Sequence, residues 1–296
     1  MKNLKELESS IKQILREKVH TPADSLSFLS VGGGSINDTY KITVDNNQKF
    51  FIKINSAQKF PSLFEKEKSG LNFIAEKKMI RTPAVIGYSI INGKQILLLE
   101  WIEQGRRSQS FWKTFGEQLA SLHKSSNDYF GFTEDNYMGA LPQDNMSTST
   151  WADFFVHHRL QPQVRLAENN GSLDSKYIHQ FEMLYKKLNH IFNIESASLL
   201  HGDLWNGNFM CDENCQPVLI DPAVYFGHRS MDLAMTTLFG GFDKSFYEAY
   251  HSHFPLPNNY KEQWDVANLY PLLIHLNLFG SSYLPDIAAT LKKFTA

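Results

Sequence analysis

The sequence is poor in cysteine, has no long apolar stretch and does not segregate its charges. Two cysteines in 296 residues, without an export signal, are typical of proteins in the reducing cytoplasm. No window approaches the roughly 20 apolar residues that a transmembrane helix requires, and residues 1–19 are charged and amphipathic, unlike a signal peptide. The formal net charge of −2 does not indicate a nucleic-acid-binding surface. We therefore expect a cytoplasmic protein with neither a membrane nor a nucleic-acid partner.

Internal repeats and low-complexity tracts are also missing, whereas apolar residues are plentiful. The chain is 42% hydrophobic and 13% aromatic, which is enough for sizeable cores. At 296 residues it can form one large domain or two lobes that share a cleft. The order of the predicted elements favours two lobes.

The first hundred residues predict a β-rich lobe. Short apolar segments separated by Gly-, Asn- and Asp-containing turns indicate an antiparallel meander. The predicted strands are residues 26–31, 39–44, 49–54, 84–90 and 95–102. Apolar spacing predicts helices at residues 3–19 and 63–78. This lobe is therefore expected to contain a five-stranded antiparallel sheet and one main helix.

Beyond a polar hinge at residues 103–108, the pattern becomes helical. The predicted helices are residues 111–124, 151–167, 177–192, 231–238, 246–253, 264–279 and 286–294. The connection at residues 127–145 is long enough to be functional. We expect an α+β fold with a nucleotide-binding lobe at residues 1–102 and a larger, mostly helical lobe for catalysis and acceptor binding at residues 103–296.

Lys53 lies within the apolar strand FFIKIN, where it points away from Ile52 and Ile54. An edge-strand lysine that faces water is one interpretation. The other is a buried lysine that binds phosphate, and such a lysine needs a counter-charge. Glu67 on the following helix is the predicted partner, with Glu65 as the alternative. A lysine–glutamate pair that holds the α- and β-phosphates is typical of kinase sites.

The glycine turn Gly32-Gly33-Gly34-Ser35 connects two predicted strands. Dinucleotide-binding and Walker loops precede a helix instead, so this turn fits neither pattern. Its backbone amides could cover phosphates from above, although a flexible turn explains the same sequence. Three residues after the fifth strand are placed where backbone groups could bind a purine, on position alone: Glu100, Trp101 and Ile102.

The stretch at residues 199–221 combines two carboxylates and an amide with strand-like apolar residues. Asp203 and Asn208 stand in the order H-x-D-L-x-x-x-N, and Asp221 ends a later apolar run. Phosphoryl transfer needs an aspartate that accepts the proton of the acceptor hydroxyl, an amide ligand for Mg²⁺ and a second aspartate that holds the metal. Phosphates and waters complete the coordination of Mg²⁺. A simple Asp/Asn-rich turn is the structural alternative.

Cys211 and Cys215 flank a predicted hairpin loop within this stretch. They could meet across the turn, but two thiols alone make a poor zinc site. A disulfide or metal site is therefore the less favoured interpretation.

Five segments, GEQLASLH, HGDLWNGN, IDPAVYFGHRSMDLAM, LFGGF and HLNLFG, follow one another along the chain. They closely resemble the fructosamine/ketosamine kinase family, in the aminoglycoside-phosphotransferase-like branch of the protein-kinase fold. The resemblance implies a two-lobed protein-kinase-like fold. It also implies phosphorylation of the 3-hydroxyl of ketosamines, the fructosamine or ribulosamine adducts of amines, with ATP and Mg²⁺ in a deglycation-repair type of reaction.

The same resemblance implies roles for individual residues. The general base would be Asp203, the metal ligands Asn208 and Asp221, and the nucleotide-binding pair Lys53 and Glu67. Asp232 is expected to accept hydrogen bonds from the catalytic-loop backbone, as a scaffold and not as a catalytic group.

The acceptor-site candidates are Trp205, His228, Arg229, His275 and Asn277. Trp205 would offer a flat face for a sugar, with a core tryptophan as the alternative. His275 and Asn277 are two apart on a predicted helix and do not share a face. One of them is expected to face the cleft while the other packs.

Three departures from related patterns bear on regulation and specificity. The DPA sequence replaces the DFG of protein kinases, so we expect no activation-loop phosphoswitch. Ser35 stands where some relatives have a cysteine, which argues against a redox switch in that loop. Ser230 replaces the acidic residue that usually follows GHR in the family, with no evident consequence.

Two other functions stay open on the sequence alone. One is the same chemistry on an aminoglycoside, choline or homoserine-like alcohol; an aminoglycoside pocket should be rich in carboxylates, whereas the candidates here are aromatic, His and Arg. The other is a non-catalytic nucleotide-binding module, which should lack Lys53, Asp203 or Asp221, yet all three are present. The expected partner is a small ketosamine or a glycated protein, and a monomer is our expectation.

Overall fold

The computed structural model describes residues 2–20, 25–32, 36–45 and 47–295, without the side chains of residues 2–6. It divides the chain into two compact units. The first unit consists of Met1–Arg106 and Met210–Asp221, and the second consists of Arg107–Phe209 and Pro222–Ala296. The predicted boundary at residue 102 places Met210–Asp221 in the larger lobe, whereas the structure groups this segment with the first unit.

The first unit contains a five-stranded sheet in which all paired neighbours are antiparallel. Its strands are β1 (Leu26–Ser30), β2 (Asp38–Val44), β3 (Lys49–Ser56), β4 (Val85–Ile91) and β5 (Lys94–Glu100), in the spatial order β1-β2-β3-β5-β4. Asn92 and Gly93 connect β4 to β5 with φ angles of 49° and 74°, the left-handed conformation that favours Asn-Gly in tight hairpins. The predicted five-stranded antiparallel sheet is confirmed.

Two helices accompany this sheet, α1 (Lys2–Val19) and α2 (Leu63–Lys77). α1 contributes Leu7, Ile11 and Leu15 to a core with Ile42 and Ile52 of the sheet, because apolar residues at helical spacing form one stripe. Burial of such a stripe removes apolar surface from water and stabilises the unit. α2 carries one buried carboxylate, Glu67, among its apolar side chains.

The second unit is mostly helical. Its helices are α3 (Gln109–His123), α4 (Trp151–Phe155), α5 (Gln161–Asn169), α6 (Ser175–Tyr185), α7 (Leu188–Ile191), α8 (Ser230–Met235), α9 (Lys244–His253), α10 (Tyr260–Ala267), α11 (Leu269–Phe279) and α12 (Leu284–Thr295). A short 3₁₀ helix, Ser281–Tyr283, precedes α12. In the part of the chain that the structure describes, no helix combines the length and the apolarity needed to span a membrane.

Short strands position the loops of this unit. β6 (Ser126–Asn127), β9 (Ala197–Leu200) and β12 (Tyr225–Gly227) form a three-stranded sheet in the order β12-β9-β6, and β7 (Asn136–Met138) pairs with β8 (Leu141–Gln143). The hairpin of β10 (Phe209–Cys211) and β11 (Pro217–Leu219) lies, apart from Phe209, in the segment that groups with the first unit. The fully buried β9 leads directly into His201 and so fixes the start of the loop at residues 201–208.

Three helices predicted as continuous are interrupted. The prediction at residues 177–192 is wrong at Lys186 and Lys187, which form a turn between α6 and α7. The prediction at residues 151–167 is wrong between α4 and α5, where Val156–Leu160 forms a π-helical turn. Pro162 cannot donate a backbone hydrogen bond, which breaks the α-helical ladder, and the wider turn accommodates the fully buried Arg159. The prediction at residues 264–279 is wrong at Asn268, because Pro271 cannot donate to the preceding turn either.

Candidate active site

Lys53 is buried at the centre of the five-stranded sheet, on β3. Its Nζ lies 2.9 Å and 2.8 Å from the two carboxylate oxygens of Glu67 on α2 and 3.0 Å from Oδ1 of Asp221. The interpretation of Lys53 as an exposed edge-strand lysine is therefore wrong, and its predicted pairing with Glu67 is confirmed. Glu65, the alternative partner, is exposed. One buried cation thus holds two carboxylates that are far apart in the sequence.

Electrostatics favour a charged lysine in this cluster. Burial lowers the pKa of Lys53, but the carboxylates of Asp221 and Glu67 outweigh it, and the pKa is raised above its ordinary value. Burial raises the pKa of Glu67 to about 7, against the opposing attraction of Lys53 and with a further increase from the charge of Asp221. Because two carboxylates share one cation, the buried Glu67 is the group that changes its charge near neutral pH.

Asp221 has the backbone conformation of a constrained site residue. Its φ angle of 54° lies in the left-handed region, where non-glycine residues are uncommon and often functional. The side chain is 44% exposed, and its contact with Lys53 uses Oδ1. The carboxylate is therefore accessible to a ligand while one of its oxygens is held by the lysine.

Asp203 and Asn208 are brought together in the second unit. The side-chain nitrogen of Asn208 donates to the backbone carbonyl oxygen of Asp203 at 2.8 Å and to its carboxylate at 2.9 Å. Because a carboxylate only accepts, the amide nitrogen must face it, and the amide oxygen points the other way. Trp205 lies between them, and its carbonyl oxygen accepts from the backbone N–H of Asn208 at 3.0 Å. This loop presents one carboxylate and one amide oxygen in a fixed arrangement.

Asp232 on α8 holds the beginning of this loop. Its two carboxylate oxygens accept from the backbone N–H groups of His201 and Gly202 at 2.7 Å and 2.9 Å, so the predicted scaffold role is confirmed. Burial would raise the pKa of Asp232, but hydrogen bonds, first that of His123, outweigh it and the pKa is lowered. The Nε2 atom of His123 lies 3.1 Å from Asp232, and its Nδ1 atom lies 2.8 Å from the hydroxyl of Tyr250.

Trp205 is partly exposed and belongs to an aromatic cluster in the second unit. A Cβ atom at Gly207 would lie 2.4 Å from the Trp205 ring, so the ring packs directly against the loop backbone. The ring of Phe239 meets Trp205 edge-on at 5.9 Å and lies 4.8 Å from the ring of His275. Tyr283 contacts His275 at 5.0 Å between ring centroids. Core burial of Trp205, the alternative interpretation, does not describe this residue, which is 36% exposed.

His228 and Arg229, two acceptor-site candidates, are interior residues. Arg229 makes a bidentate ion pair with Glu195 at 2.8 Å and 2.9 Å and donates to the carbonyl oxygens of Phe254 and Pro255. His228 is 1% exposed, and burial lowers its pKa to about 4. The prediction that they face the acceptor is wrong, because neither side chain is accessible to a bound molecule in this conformation.

Asn277 also has a packing role. Its amide nitrogen donates at 3.0 Å to both the carbonyl oxygen and the side-chain oxygen of Gln163 on α5. His275, two residues earlier, instead lies in the aromatic cluster. The alternation expected along α11 is thus observed, with His275 as the remaining acceptor candidate. Ser230 is buried and donates to Gln263 at 2.8 Å, which accounts for its place in the interior.

The predicted nucleotide-binding loops are described only in part. Gly33, Gly34 and Ser35 lie outside the described residues; Gly32 is exposed. The Glu100 side chain accepts hydrogen bonds from Arg81 and from the backbone of Ala84, and Ile102 is buried. A role of these residues in binding a purine stays a prediction.

The comparison with known proteins identifies the family. A sequence profile described as fructosamine kinase matches residues 7–296. The chain belongs to the fructosamine kinase family. A Synechocystis protein named probable ketoamine kinase is 40% identical to this family member over 268 residues, which cover 89% of this chain and 88% of that protein. An Arabidopsis thaliana protein named chloroplastic protein-ribulosamine 3-kinase is 36% identical over 259 residues, 86% of this chain and 78% of the relative.

Solved structures agree with this family assignment. A crystal structure from Haemophilus somnus, assigned as a fructosamine-3-kinase, superposes with a TM-score of 0.86 at 27% identity and covers 97% of both chains. An aminoglycoside-3′-phosphotransferase of type VIII gives a TM-score of 0.52 at 16% identity, over 86% of this chain and 97% of that chain, and this likeness shows the fold alone. The predicted kinase-like α+β fold is confirmed.

Membership in the fructosamine kinase family also confirms the predicted enzyme class, a phosphotransferase with an alcohol group as acceptor. It implies the use of ATP. The roles of individual side chains, the metal and the cytoplasmic location stay predictions.

Three contacts around the candidate residues were not predicted from the sequence. Phe239 lies in the quoted LFGGF segment, but nothing in its spacing indicates a contact with Trp205. His123 ends the GEQLASLH segment and could have been questioned as a buried polar residue at the end of an apolar helix. Arg81 follows α2 and binds the carboxylate of Asp212, and no sequence pattern connects these distant residues.

Proposed function

We propose that this protein transfers the γ-phosphoryl group of ATP to the 3-hydroxyl of a ketosamine, a fructosamine or ribulosamine adduct of an amine. The observation that carries the proposal is the arrangement of Asp203, Trp205 and Asn208, a carboxylate and an amide held together beside an exposed aromatic ring. Asp203 accepts the proton of the acceptor hydroxyl as it attacks the γ-phosphorus. Trp205 offers a face for the sugar.

On the nucleotide side, Lys53 binds the α- and β-phosphates and Glu67 orients it. We propose Asp221 and the amide oxygen of Asn208 as ligands of Mg²⁺, because hard oxygen donors suit this ion. Held by these two oxygen donors, Mg²⁺ would supply positive charge against the phosphate charge that develops during transfer. Among the described residues, no group of three or more His, Cys, Asp or Glu is arranged to hold a metal ion.

The acceptor side is an aromatic surface formed by Trp205, Phe239, His275 and Tyr283. Aromatic faces bind the apolar faces of sugars and leave their hydroxyls free for other partners. Phe239 places its ring edge-on against Trp205, and Trp205 stays 36% exposed. We therefore include Phe239 in the acceptor site and exclude the buried His228 and Arg229.

An ATP-consumption screen tests the proposal directly. Fructosyl-lysine, ribulosyl-lysine, kanamycin and choline are offered with Mg²⁺, and the phosphate position of any sugar product is determined by NMR. We expect turnover on one or both ketosamines, with the phosphate on the 3-hydroxyl. Turnover on kanamycin or choline but on neither ketosamine would overturn the acceptor assignment. Glycated protein as a further substrate distinguishes a free from a protein-borne adduct.

The pH dependence of kcat/KM for ATP should follow Glu67. The pKa of this group is raised to about 7, so the carboxyl is neutral below that pH and charged above it. Since only the charged form orients Lys53, kcat/KM should rise as the pH increases through about 7. The pH dependence of kcat/KM reports pKa values of the free enzyme, which is the state that the structure describes. Glu67→Gln should lower kcat/KM and remove this ascending limb. Persistence of the limb in the Gln variant would contradict the assignment.

Phe239 should affect acceptor binding more than stability. Its φ angle of 54° costs a bulky residue about 1 kcal/mol, which glycine avoids. Phe239→Gly should therefore raise the KM for the ketosamine about 3- to 10-fold, the value of one aromatic contact, with the KM for ATP unchanged. Phe239→Ala is the matched control, because it loses the ring but keeps the strained backbone. Phe239→Ala should show the same raised KM for the ketosamine as Phe239→Gly but a lower melting temperature than Phe239→Gly. If the KM for the ketosamine is unchanged in both variants, Phe239 does not contact the acceptor.

A further inference from the structure

The hairpin segment Met210–Asp221 is attached to the rest of the first unit at several points. The backbone N–H of Gly105 donates to the carbonyl oxygen of Cys211 at 2.8 Å, and Gln104 bridges to Asp212. A Cβ atom at Gly105 would lie 2.0 Å from the carbonyl oxygen of Asp212, so only glycine permits this approach. These contacts fix the first strand of the hairpin, but they lie at the end remote in sequence from Asp221.

Arg81 attaches the second strand. Its carbonyl oxygen accepts from the backbone N–H of Leu219 at 2.9 Å, and it forms a parallel bridge with Val218. Its guanidinium donates to the carboxylate of Asp212 at 2.5 Å and also pairs with Glu100. Arg81 thus binds β11 through its backbone and Asp212, the residue that follows β10, through its side chain.

Asp212 is buried, so its contact with the Arg81 side chain affects the stability of the hairpin turn. It is 2% exposed, and its Oδ1 atom accepts from the backbone N–H groups of Asn214 and Gln216 at 2.9 Å and 2.8 Å. Oδ2 is the atom that Arg81 binds. A buried carboxylate without its cation is costly, so removal of the Arg81 guanidinium disturbs the turn as well as the strand pairing.

The path from Arg81 to the reacting end of the site is short. Asp221 follows Leu219 by two residues, in a left-handed conformation that only a well-fixed chain maintains, and there it contacts Lys53. We propose that Arg81 is a positioning residue for Asp221, which it holds in place for the metal–nucleotide complex by fixing both strands of the hairpin. This inference rests on the proposed role of Asp221 as a Mg²⁺ ligand.

The test compares ADP binding with and without Mg²⁺ by calorimetry, which needs no turnover. In the unmodified protein, Mg²⁺ should strengthen ADP binding. Arg81→Met should reduce this Mg²⁺-dependent gain about tenfold, while the Kd for metal-free ADP stays within about twofold, because a misplaced metal ligand costs on this order. The Mg²⁺-dependent gain of Arg81→Lys should lie between those of the unmodified protein and Arg81→Met, because lysine keeps the charge but cannot bind Asp212 and Glu100 with two separate nitrogen atoms. Arg165→Met, at an exposed arginine of the second unit, is the matched control.

A general structural role would give a different pattern. If Arg81→Met weakens ADP binding equally with and without Mg²⁺, or leaves the Mg²⁺-dependent gain intact, the positioning role is refuted. If that variant does not fold, Asp212→Asn provides the same test from the other side of the pair, and it should show the same Mg²⁺-selective loss. A lack of any Mg²⁺-dependent gain in the unmodified protein would overturn the proposed metal site and this inference together. An intact gain in Arg81→Met overturns this inference alone.

Discussion

Replacement of Asp203 by asparagine should lower kcat by about 10²- to 10⁴-fold, the usual contribution of a positioned general base. The change keeps the size of the side chain and an oxygen that can accept from Asn208, so the loop contact at 2.9 Å can persist. What it removes is the group that takes the proton of the acceptor hydroxyl. The Kd for ADP with Mg²⁺ should change little, because the proposed phosphate-binding lysine is unaffected.

Steady-state kinetics on the preferred ketosamine and calorimetry with ADP measure the two quantities separately. Asp286→Asn is the matched control, since Asp286 is an exposed carboxylate of the same unit, and it should keep full activity. Retained turnover in Asp203→Asn would eliminate Asp203 as the base. Loss of ADP binding in step with kcat would instead indicate a collapsed loop.

Lys53→Met should have the largest effect on stability. The substitution leaves Glu67, which is 9% exposed, and Asp221 without their shared cation, and breaking a buried pair in this way costs about 3–5 kcal/mol. Since the pKa of Glu67 is already raised to about 7, its protonation relieves part of that cost in acid. A group with a raised folded-state pKa stabilises the fold at low pH and loses this contribution as the pH rises through that pKa. The deficit of the variant should therefore be smaller at pH 6 than at pH 8.

The double variant Lys53→Met/Glu67→Gln separates folding from function. Replacement of the buried charge by a neutral amide should recover much of the free energy of unfolding, whereas nucleotide affinity should stay lost. Urea denaturation at the two pH values and ADP calorimetry give both readouts, and Lys59→Met, at an exposed lysine of the same unit, is the control. Recovery of ADP binding in the double variant would show that Lys53 does not bind the phosphates.

The local patterns of the sequence predicted the fold well where they were short-ranged. Short apolar segments and the turns between them, such as Asn92-Gly93, define the five strands, because turn chemistry is encoded by adjacent residues. The interruption of three helices was not predicted. In two of them the apolar spacing is helical, but Pro162 and Pro271 lack the N–H that a continuous helix needs.

The site was predictable where residue type and order were distinctive. The pairing of Lys53 with Glu67 follows from the need of a buried cation for a counter-charge, and the scaffold role of Asp232 follows from the family likeness. His228 and Arg229 were misassigned because motif membership does not distinguish a side chain that contacts substrate from one that holds a loop. Glu195, the partner of Arg229 at 2.8 Å, lies outside every motif, so no sequence pattern reveals that the arginine is already occupied.

The discontinuous composition of the first unit has a consequence for biosynthesis. Residues 1–106 leave the ribosome well before the segment Met210–Asp221 that groups with them. During that interval Lys53 has Glu67 but not Asp221, and Arg81 lacks Asp212. A gene fragment that stops after Arg106 would thus encode all five strands of the sheet. It would lack Asp221, which Lys53 contacts in the complete chain, and Asp212, which Arg81 contacts. Any division of this enzyme for reconstitution should keep these distant partners on one polypeptide.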